Sequence, residues 1–595
     1  FCQIIGDKTG PAVMNETQMP GAQFFPQSRL NYAENLLWKT GSAPAIIWRA
    51  EDKAEEVLSW DDLRAQVSQC AQWLQAQGVG AGDRVAAYLP NMPQATIAML
   101  ATASLGAVWA GASPDFGVQG VLDRFGQIDA KVFITTDGYW FKGKPVDVLA
   151  KAKQAVVQLP SVEAVLLVPF AGSAESTTNL PNLTTWPNML ARFAPQELAF
   201  TRLPFNDPLF IMFSSGTTGV PKCIVHSIGG VTLNHAKELR LQCDVKEGDK
   251  FFYYTTIGWM MWQWQMSGLA CGATLMLYDG SPFEPNPTTL FDYADAYGMT
   301  LFGTSAKYID VLRKDGLNPS KTHKLKELRT LTSTGSPLVH ESFDYIYENI
   351  KADLHVASVC GGTDILGCFI IGNPISPVYR GQIQGAGLGF AMNAYDDAGT
   401  PLAAGAKGEF VCERPFPSMP IYFWGDADGV RYKKAYFNRY PNIWHHGDWV
   451  EKTAEGGWVV HGRSDATLNP GGVRIGTSEI YRQVEKIDTV RESLAVGQDI
   501  ENDTRVLLFV VLREGVKLSD DLKSQIKQQI KNGASPRHVP AEIYQVSDLP
   551  RTKSGKLVEL AVREVIHGRP VNNKTALANP AILQEFGQVV GAAYP

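Results

Sequence analysis

Short apolar runs alternate with stretches of helical periodicity over the first three quarters of the chain. Arg84–Leu89 reads as a strand and Pro93–Leu105 as the helix after it. Lys131–Thr136 and Ala164–Val168 are again strand-like, with a helix predicted between them over Pro145–Gln158. Leu209–Phe213, Ala273–Tyr278 and Arg329–Thr332 are three further strands. Strands that alternate with helices predict an α/β fold with mostly parallel sheets. After Arg463 the pattern changes. Val506–Leu512 reads as a strand, and Asp520–Lys531 as a polar helix with Leu522, Ile526 and Ile530 at helical spacing. A small α+β domain attached to a large one is expected, joined at Gly462–Arg463–Ser464–Asp465. From His567 the chain is rich in Ala, Asn and Pro, an extension with one helix near Ile582–Val590. The expected division is therefore 1–464, 465–566 and 567–595.

Two stretches carry no charged residue, Val85–Pro114 and Phe251–Tyr278. Pro90, Pro93, Gly106 and Gly111 interrupt the first; Gln263, Gln265 and three glycines interrupt the second. Buried strand and helix segments account for both, and no membrane association is expected.

Composition narrows the classes. With 595 residues, 45% hydrophobic and 19% charged, the chain is globular and not disordered. A net charge of −6 argues against a nucleic-acid binder. An anionic substrate must be met by a local site and not by the global field. Eight scattered cysteines form no C-x-x-C pair, which points to a reducing, cytoplasmic setting. His445 and His446 have no partner at metal-ligand spacing. Cys360 has no His or Lys beside it in sequence to activate it.

The most informative segment is Phe213-Ser-Ser-Gly-Thr-Thr-Gly-Val-Pro-Lys222, which follows the strand Leu209–Phe213. Small, hydroxylated and glycine residues after a strand let backbone N–H groups and hydroxyls wrap a phosphate, and Lys222 adds a point charge. A flexible Ser/Gly loop is the plainer reading, but this order of residues is too specific for it. A second glycine-rich match, Gly138 to Lys144, fits the first seven positions of a nucleotide-binding P-loop. Pro145 then stands where Ser or Thr would hold Mg²⁺, and proline lacks the N–H that such a cradle uses. That match is accidental.

The Ser214–Lys222 segment resembles the phosphate loop of the AMP-forming adenylating enzymes. Gly335-Ser336-Pro337 is similar to that family's adenine-side turn, and Cys360-Gly-Gly-Thr-Asp364 to its aromatic-x-x-Thr-Glu motif. His446-Gly-Asp448 resembles T-G-D, and Gly462–Ile475 the hinge motif. Leu549-Pro-Arg-Thr-Lys-Ser-Gly-Lys556 resembles the motif of the catalytic lysine. The likeness runs from about Phe24 to Ile566. Phe24–Asn35 is similar to the acetyl-CoA synthetase branch. Within it, Ile257–Trp262, Val359–Ile365 and the tail beyond His567 resemble the members that activate acetoacetate.

The resemblance implies a fold and a reaction. The fold is a large layered α/β domain bearing a small mobile α+β domain. The reaction is adenylation of a carboxylate by ATP with release of pyrophosphate, then attack by coenzyme A with release of AMP. Joining two anions demands positioning and positive charge. Lys556 is expected to stabilise the α-phosphoryl transition state, and Thr363 to hydrogen-bond the α-phosphate. Asp364 is expected to orient Mg²⁺, although the family usually has Glu there, one methylene longer. Ser214, Ser215, Gly216, Thr217, Thr218, Lys222, Gly335, Ser336, Pro337, Ser358, Val359 and Cys360 are expected around ATP. Asp448 and Arg463 would contact the ribose, and Arg474 the phosphate. Arg463 and Arg474 also read as surface ion-pair residues, and Asp448 as a turn cap. Asp465 holds the position of the hinge, and the Gly472 backbone is where pantetheine would approach. Lys527 is a candidate for the coenzyme A phosphates, beside Lys142, Lys144 and Arg537.

In the acyl pocket, Gly361 stands where the acetate-specific members carry Trp. Loss of the indole would open room for a longer acid, with Gly362 loosening the loop further. A glycine required only by the backbone is the competing reading. Trp259, Met260, Met261, Trp262 and Trp264 either line the pocket or pack the core. Propionate, butyrate or another short 3-oxo acid would keep the chemistry. A luciferase-type oxidase and an inactive nucleotide sensor are the alternatives from other classes. The expected partners are small molecules only, and a monomer is compatible with the sequence.

Overall fold

The computed structural model describes residues 2–171, 180–214, 221–466, 468, 470, 475–500, 503–533, 536–553, 555–571 and 574–591. The apolar runs form the centres of two large sheets. The first has eight strands in the order Thr184–Thr185, Ala164–Val168, Val132–Thr136, Arg84–Tyr88, Val108–Ala112, Pro208–Ser214, Lys222–Ser227 and Tyr422–Phe423. Its first six strands are parallel; the last two pair antiparallel. The second has seven strands, His355–Ser358, Thr330–Thr334, Leu301–Ser305, Lys250–Tyr253, Thr274–Asp279, Pro44–Ala50 and Ala54–Ser59. All are parallel except the last pair.

Strands covered on both faces read as continuous apolar runs, which is why the sequence exposes them. The helix Pro93–Ser104 is buried along almost its whole length and belongs to a core shared with residues of both sheets. That burial explains the charge-free stretch Val85–Pro114. Among the described residues no helix is long and apolar enough to cross a membrane. Trp262 and Trp264 are fully buried and donate their indole N–H groups to Asn91 at 3.0 Å and Glu238 at 2.8 Å. They are core residues, not pocket lining.

A four-stranded antiparallel sheet follows, Met392–Tyr395, Lys407–Cys412, Trp444–Lys452 and Trp458–Arg463. Beyond it stands a three-stranded sheet, Val490–Ile500, Asp503–Leu512 and Glu542–Gln545, with helices Thr477–Val484, Asp520–Gly533 and Glu559–Ile566. Leu522, Ile526 and Ile530 are buried, as their spacing predicts. The tail does not stand apart from this unit. Leu583 and Phe586 on the helix Leu583–Val590 are fully buried in the core with Leu494, Phe509 and Val565, and Phe586 lies 4.7 Å from Phe509.

One predicted helix starts late. Lys144–Asp147 is a strand paired antiparallel with Gly138–Phe141, and the helix runs over Leu149–Val156. Pro145 fits an edge strand, where no ladder N–H is needed. The Gly138–Lys144 match is thus a hairpin. Its turn residues, Lys142 at φ +53° and Gly143 at φ +72°, donate their N–H groups to Glu51 at 2.7 and 2.8 Å. Those donors face a carboxylate, not a phosphate.

Candidate active site

The site forms where the two large sheets meet the four-stranded one. Ser214 ends one strand, and Lys222 opens the next, directly opposite it. The Ser214 hydroxyl is buried with no hydrogen-bond partner among the described residues, and such an orphan at a loop mouth invites a ligand. Lys222 Nζ lies 3.8 Å from Asp364 Oδ1 and 5.4–5.5 Å from the ring centres of Tyr436 and Phe423. Tyr436 donates its hydroxyl hydrogen to Asp364 Oδ1 at 2.6 Å. Burial raises the Asp364 carboxyl, but Lys222, then His446 and the Tyr436 hydroxyl, outweigh it and hold the group down to about 2. Asp364 is therefore an anion at working pH. No described side chain donates to Oδ2. One carboxylate completed by phosphate oxygens and water is a normal Mg²⁺ set, so these residues fit that ion. Among the described residues no cluster of three His, Cys, Asp or Glu exists to hold a metal by protein ligands alone.

Two buried histidines pin the turn that carries Thr363 and Asp364. His226 Nε2 donates to the Thr363 carbonyl at 2.8 Å, and His235 Nε2 donates to the Leu366 carbonyl at 2.7 Å. His235 Nδ1 accepts from the Ser267 hydroxyl, which also meets Tyr32 Oη. Burial pushes the His226 and His235 imidazoles down to about 4 and 3, so both are neutral. Glu238 extends the clamp by accepting from the Cys368 N–H at 3.0 Å. None of these contacts is legible in the spacing of the chain.

These shifts set a pH dependence of stability. His461 and His446 are also lowered by burial. A histidine whose folded pKa lies below its unfolded value near 6.5 takes up a proton first in the unfolded chain. The stability it confers is complete above that value and is lost as pH falls toward the folded one. These histidines are therefore expected to lower the urea midpoint as pH falls between about 6.5 and 5. An unchanged midpoint over that interval would contradict the neutral, buried assignment.

The Gly361 expectation needs correction. Strand Cys360–Gly362 pairs with Gly367–Ile371, and a Cβ built on Gly361 would stand 2.1 Å from the Gly367 carbonyl oxygen and 2.7 Å from Cys368 Cα. The missing side chain makes way for the neighbouring strand; it does not leave an open pocket. At Gly362 a Cβ meets nothing closer than 3.7 Å, with Asp364 and His446 as neighbours. Trp259 is half-buried and caps the helix Met260–Met266, and Met261 is buried in the core.

Asp448 and Arg463 face each other across paired strands, with Arg463 Nη1 3.5 Å from Asp448 Oδ1 and 3.2 Å from the His446 carbonyl. His446 Nε2 lies 3.3 Å from the Gly361 carbonyl and 3.5 Å from Asp448 Oδ2. Cys360 Sγ lies 3.9 Å from Asp448 Oδ2. Burial, then the Asp448 carboxylate, pushes its thiol well up, with Lys556 and Arg463 pulling the other way. Cys360 is thus a thiol, and the Lys556 ammonium is near enough to act on it. On the adenine side, Gly335 (φ +93°), Ser336 and Pro337 follow the strand Thr330–Thr334. Val359, just past Ser358, donates its N–H to Ser333 at 2.9 Å and accepts from the Thr334 hydroxyl at 3.1 Å.

The Lys556 loop is braced from within. Thr552 N donates to the Lys556 carbonyl at 2.8 Å, Arg551 Nη1 to Gly555 at 2.9 Å, and Arg551 pairs with Glu492 at 3.1 Å. The structure thus brings Ser214, Lys222, Cys360, Gly361, Gly362, Thr363, Asp364, Asp448, Arg463 and Lys556 into one region. Lys527, on the helix Asp520–Gly533, is not joined to them; its ammonium donates to the Ala541 carbonyl. Asp465 falls in the one-turn helix Ser464–Ala466. Ser215, Gly216, Thr217, Thr218, Gly472 and Arg474, and the side chains of Asp465 and Arg537, lie outside the described residues. Sequence reasoning missed His226, His235 and Tyr436. His226, four residues beyond Lys222 on one strand, carried the only local hint.

The sequence profile of the AMP-binding enzyme family matches residues 37–423, and that of the AMP-binding enzyme C-terminal domain matches 483–556. The chain is 58% identical to the acetoacetyl-coenzyme A synthetase of Rhizobium meliloti, over 98% of this chain and 90% of that one. It is 44% identical to the acetoacetyl-CoA synthetase of Mus musculus, over 95% and 86%. The solved acetoacetyl-CoA synthetase from Streptomyces lividans superposes with a TM-score of 0.93 at 40% identity, covering 99% of this chain and 90% of the other.

Proposed function

Because the chain belongs to the family of AMP-binding enzymes, we propose that it joins acetoacetate to coenzyme A at the cost of ATP, as an AMP-forming acid–thiol ligase. The observation that carries this reading is identity to proteins named acetoacetyl-CoA synthetase along nearly the whole chain. In the first step a carboxylate oxygen of acetoacetate attacks the α-phosphorus of ATP, and the bond to the β-phosphate breaks to release pyrophosphate. In the second the sulfur of coenzyme A attacks the acyl carbon, AMP leaves, and the thiol proton passes to solvent.

Each half places a different demand on the residues. Lys556 is assigned to the charge that develops on the α-phosphoryl group, because a cation placed where that charge forms stabilises the transition state. Thr363 holds the α-phosphate, with its turn fixed by His226. Ser214, Ser215, Gly216, Thr217, Thr218 and Lys222 enclose the outer phosphates, and Arg474 adds charge. Asp448, an acceptor with two oxygens, suits the ribose diol, with Arg463 beside it. Asp364 is the protein's ligand for Mg²⁺, which when bound neutralises phosphate charge. Gly335, Ser336, Pro337, Ser358, Val359 and Cys360 frame the adenine, and Trp259 and Gly362 border the acyl group. Asp465 is the hinge. Gly472 and Lys527 serve coenzyme A, the latter by its charge alone. The division into 1–464 and 465–566, with 567–595 as an extension packed into the core of the second, is part of the same reading.

Product stoichiometry tests it. One AMP and one pyrophosphate are expected for each coenzyme A thiol consumed with acetoacetate; release of ADP and phosphate would contradict the reading.

A further inference from the structure

The loop that carries Lys556 reaches the large domain through a different lysine. Lys553 Nζ donates to the Asp115 carbonyl at 2.9 Å and lies 4.2 Å from the centre of the Phe116 ring. Asp115 and Phe116 follow the strand Val108–Ala112, at the carboxyl end of the parallel strands, where ligand crevices form in such sheets. Phe116 is itself held, with the buried Arg124 guanidinium 3.9 Å from the same ring. Lys151 donates to the adjoining Pro114 carbonyl at 2.9 Å. A cation over an aromatic face with a carbonyl beneath its N–H is a directional contact, not a solvated surface charge. Burial pushes the Lys553 ammonium down to about 8, opposed by the Asp115 carboxylate.

On its own side, the loop is fixed to the small domain by the Arg551–Glu492 pair and by the Lys553 N–H to the Ala576 carbonyl at 3.1 Å. Among the described residues, Lys553 carries a hydrogen bond from loop 551–557 to the large domain. We propose that Lys553 is a positioning residue that seats the Lys556 loop on Asp115–Phe116 for adenylation and is not needed for thioester formation. This rests on the two-step reading above. A lysine that merely stabilised the fold would serve both halves equally, whereas a contact across the domain boundary serves only the arrangement that makes it.

Two assays on the full chain separate the halves. ATP–pyrophosphate exchange with acetoacetate and no coenzyme A reports adenylation. AMP-dependent release of thiol from acetoacetyl-CoA, followed in a single turnover, reports the reverse of the second step. For Lys553→Met the exchange kcat is expected to fall about tenfold, with the KM for acetoacetate and the thiol release within about twofold of wild type. Lys553→Arg, which keeps the charge and the donor, is expected to restore most of the exchange. Phe116→Leu, which removes the ring and keeps the chain path, is expected to lower exchange in the same selective way. Equal losses in both assays, no loss in exchange, or no rescue by arginine would overturn the proposal. A wild-type enzyme silent with acetoacetate would count instead against the substrate reading, and the same comparison with butyrate would still decide on Lys553.

Discussion

Lys556→Ala is expected to lower ATP–pyrophosphate exchange by about 10²–10³-fold while leaving AMP-dependent thiol release from acetoacetyl-CoA within about threefold. The fold should not notice the change. Lys556 is exposed, and its loop is held by backbone bonds between Thr552 and Lys556 and by Arg551, not by the lysine side chain. What is lost is charge where it develops. Adenylation brings a carboxylate onto a phosphate, and the barrier contains the repulsion of two anions. Asp364 and Asp448 add two carboxylates to the site, and Lys222 and Arg463 stand against them. Cys360 is kept as a thiol beside Asp448, with Lys556 and Arg463 as the opposing cations. Removing Lys556 leaves the first step short of a cation, whereas the second step expels AMP and gains nothing from it. Lys556→Arg is expected to recover only part of the activity, because a planar guanidinium cannot replace a compact ammonium at one oxygen. Equal loss in both half-reactions would place Lys556 in the fold and not in the chemistry.

The second large effect concerns Gly361. Gly361→Trp is expected to abolish activity on every acid, acetate included, and to destabilise the protein. It is not expected to convert the enzyme to acetate. Even a methyl group at this position would sit 2.1 Å from the Gly367 carbonyl oxygen. Overpacking of this kind costs about 1–3 kcal/mol or more, and here the obstruction is backbone, which cannot rotate aside. The strand Gly367–Ile371 would have to move, and with it Cys368 and the Glu238 carboxylate that holds its N–H. Gly361→Ala should already lower the thermal midpoint, while Gly362→Ala, with 3.7 Å of clearance, should change it little. A stable Gly361→Trp protein with raised activity on acetate would mean that the strand pairing adjusts and that the pocket lies where residue 361 points.

This contrast marks what the chain discloses of itself. The parallel strands were legible because both faces are covered, so Ala164–Val168 is wholly apolar and Val132–Thr136 carries no charge. The nucleotide motifs were legible because a phosphate loop, a ribose acceptor and a mobile lysine each need particular residues in a fixed local order. What fixes the turn at Thr363 was not. His226 and His235 act through single hydrogen bonds to carbonyls more than 130 residues away, and Tyr436 reaches Asp364 across 72. Gly361 shows the same limit from the other side. A glycine in a motif reads as vacant space until the neighbouring strand is placed, and then it reads as a close approach. Trp262 and Trp264 could be read as pocket wall or as core, because core and pocket share one composition.

The central claim is that the carboxylate activated is acetoacetate. It is tested most directly by kcat/KM for AMP formation with acetate, propionate, butyrate, acetoacetate and 3-hydroxybutyrate at saturating ATP, Mg²⁺ and coenzyme A. Acetoacetate is expected to exceed butyrate by about tenfold or more, the discrimination a buried site gains from pairing one keto oxygen. Equal or greater values for butyrate would contradict the claim, leaving a ligase that measures chain length without reading the keto group.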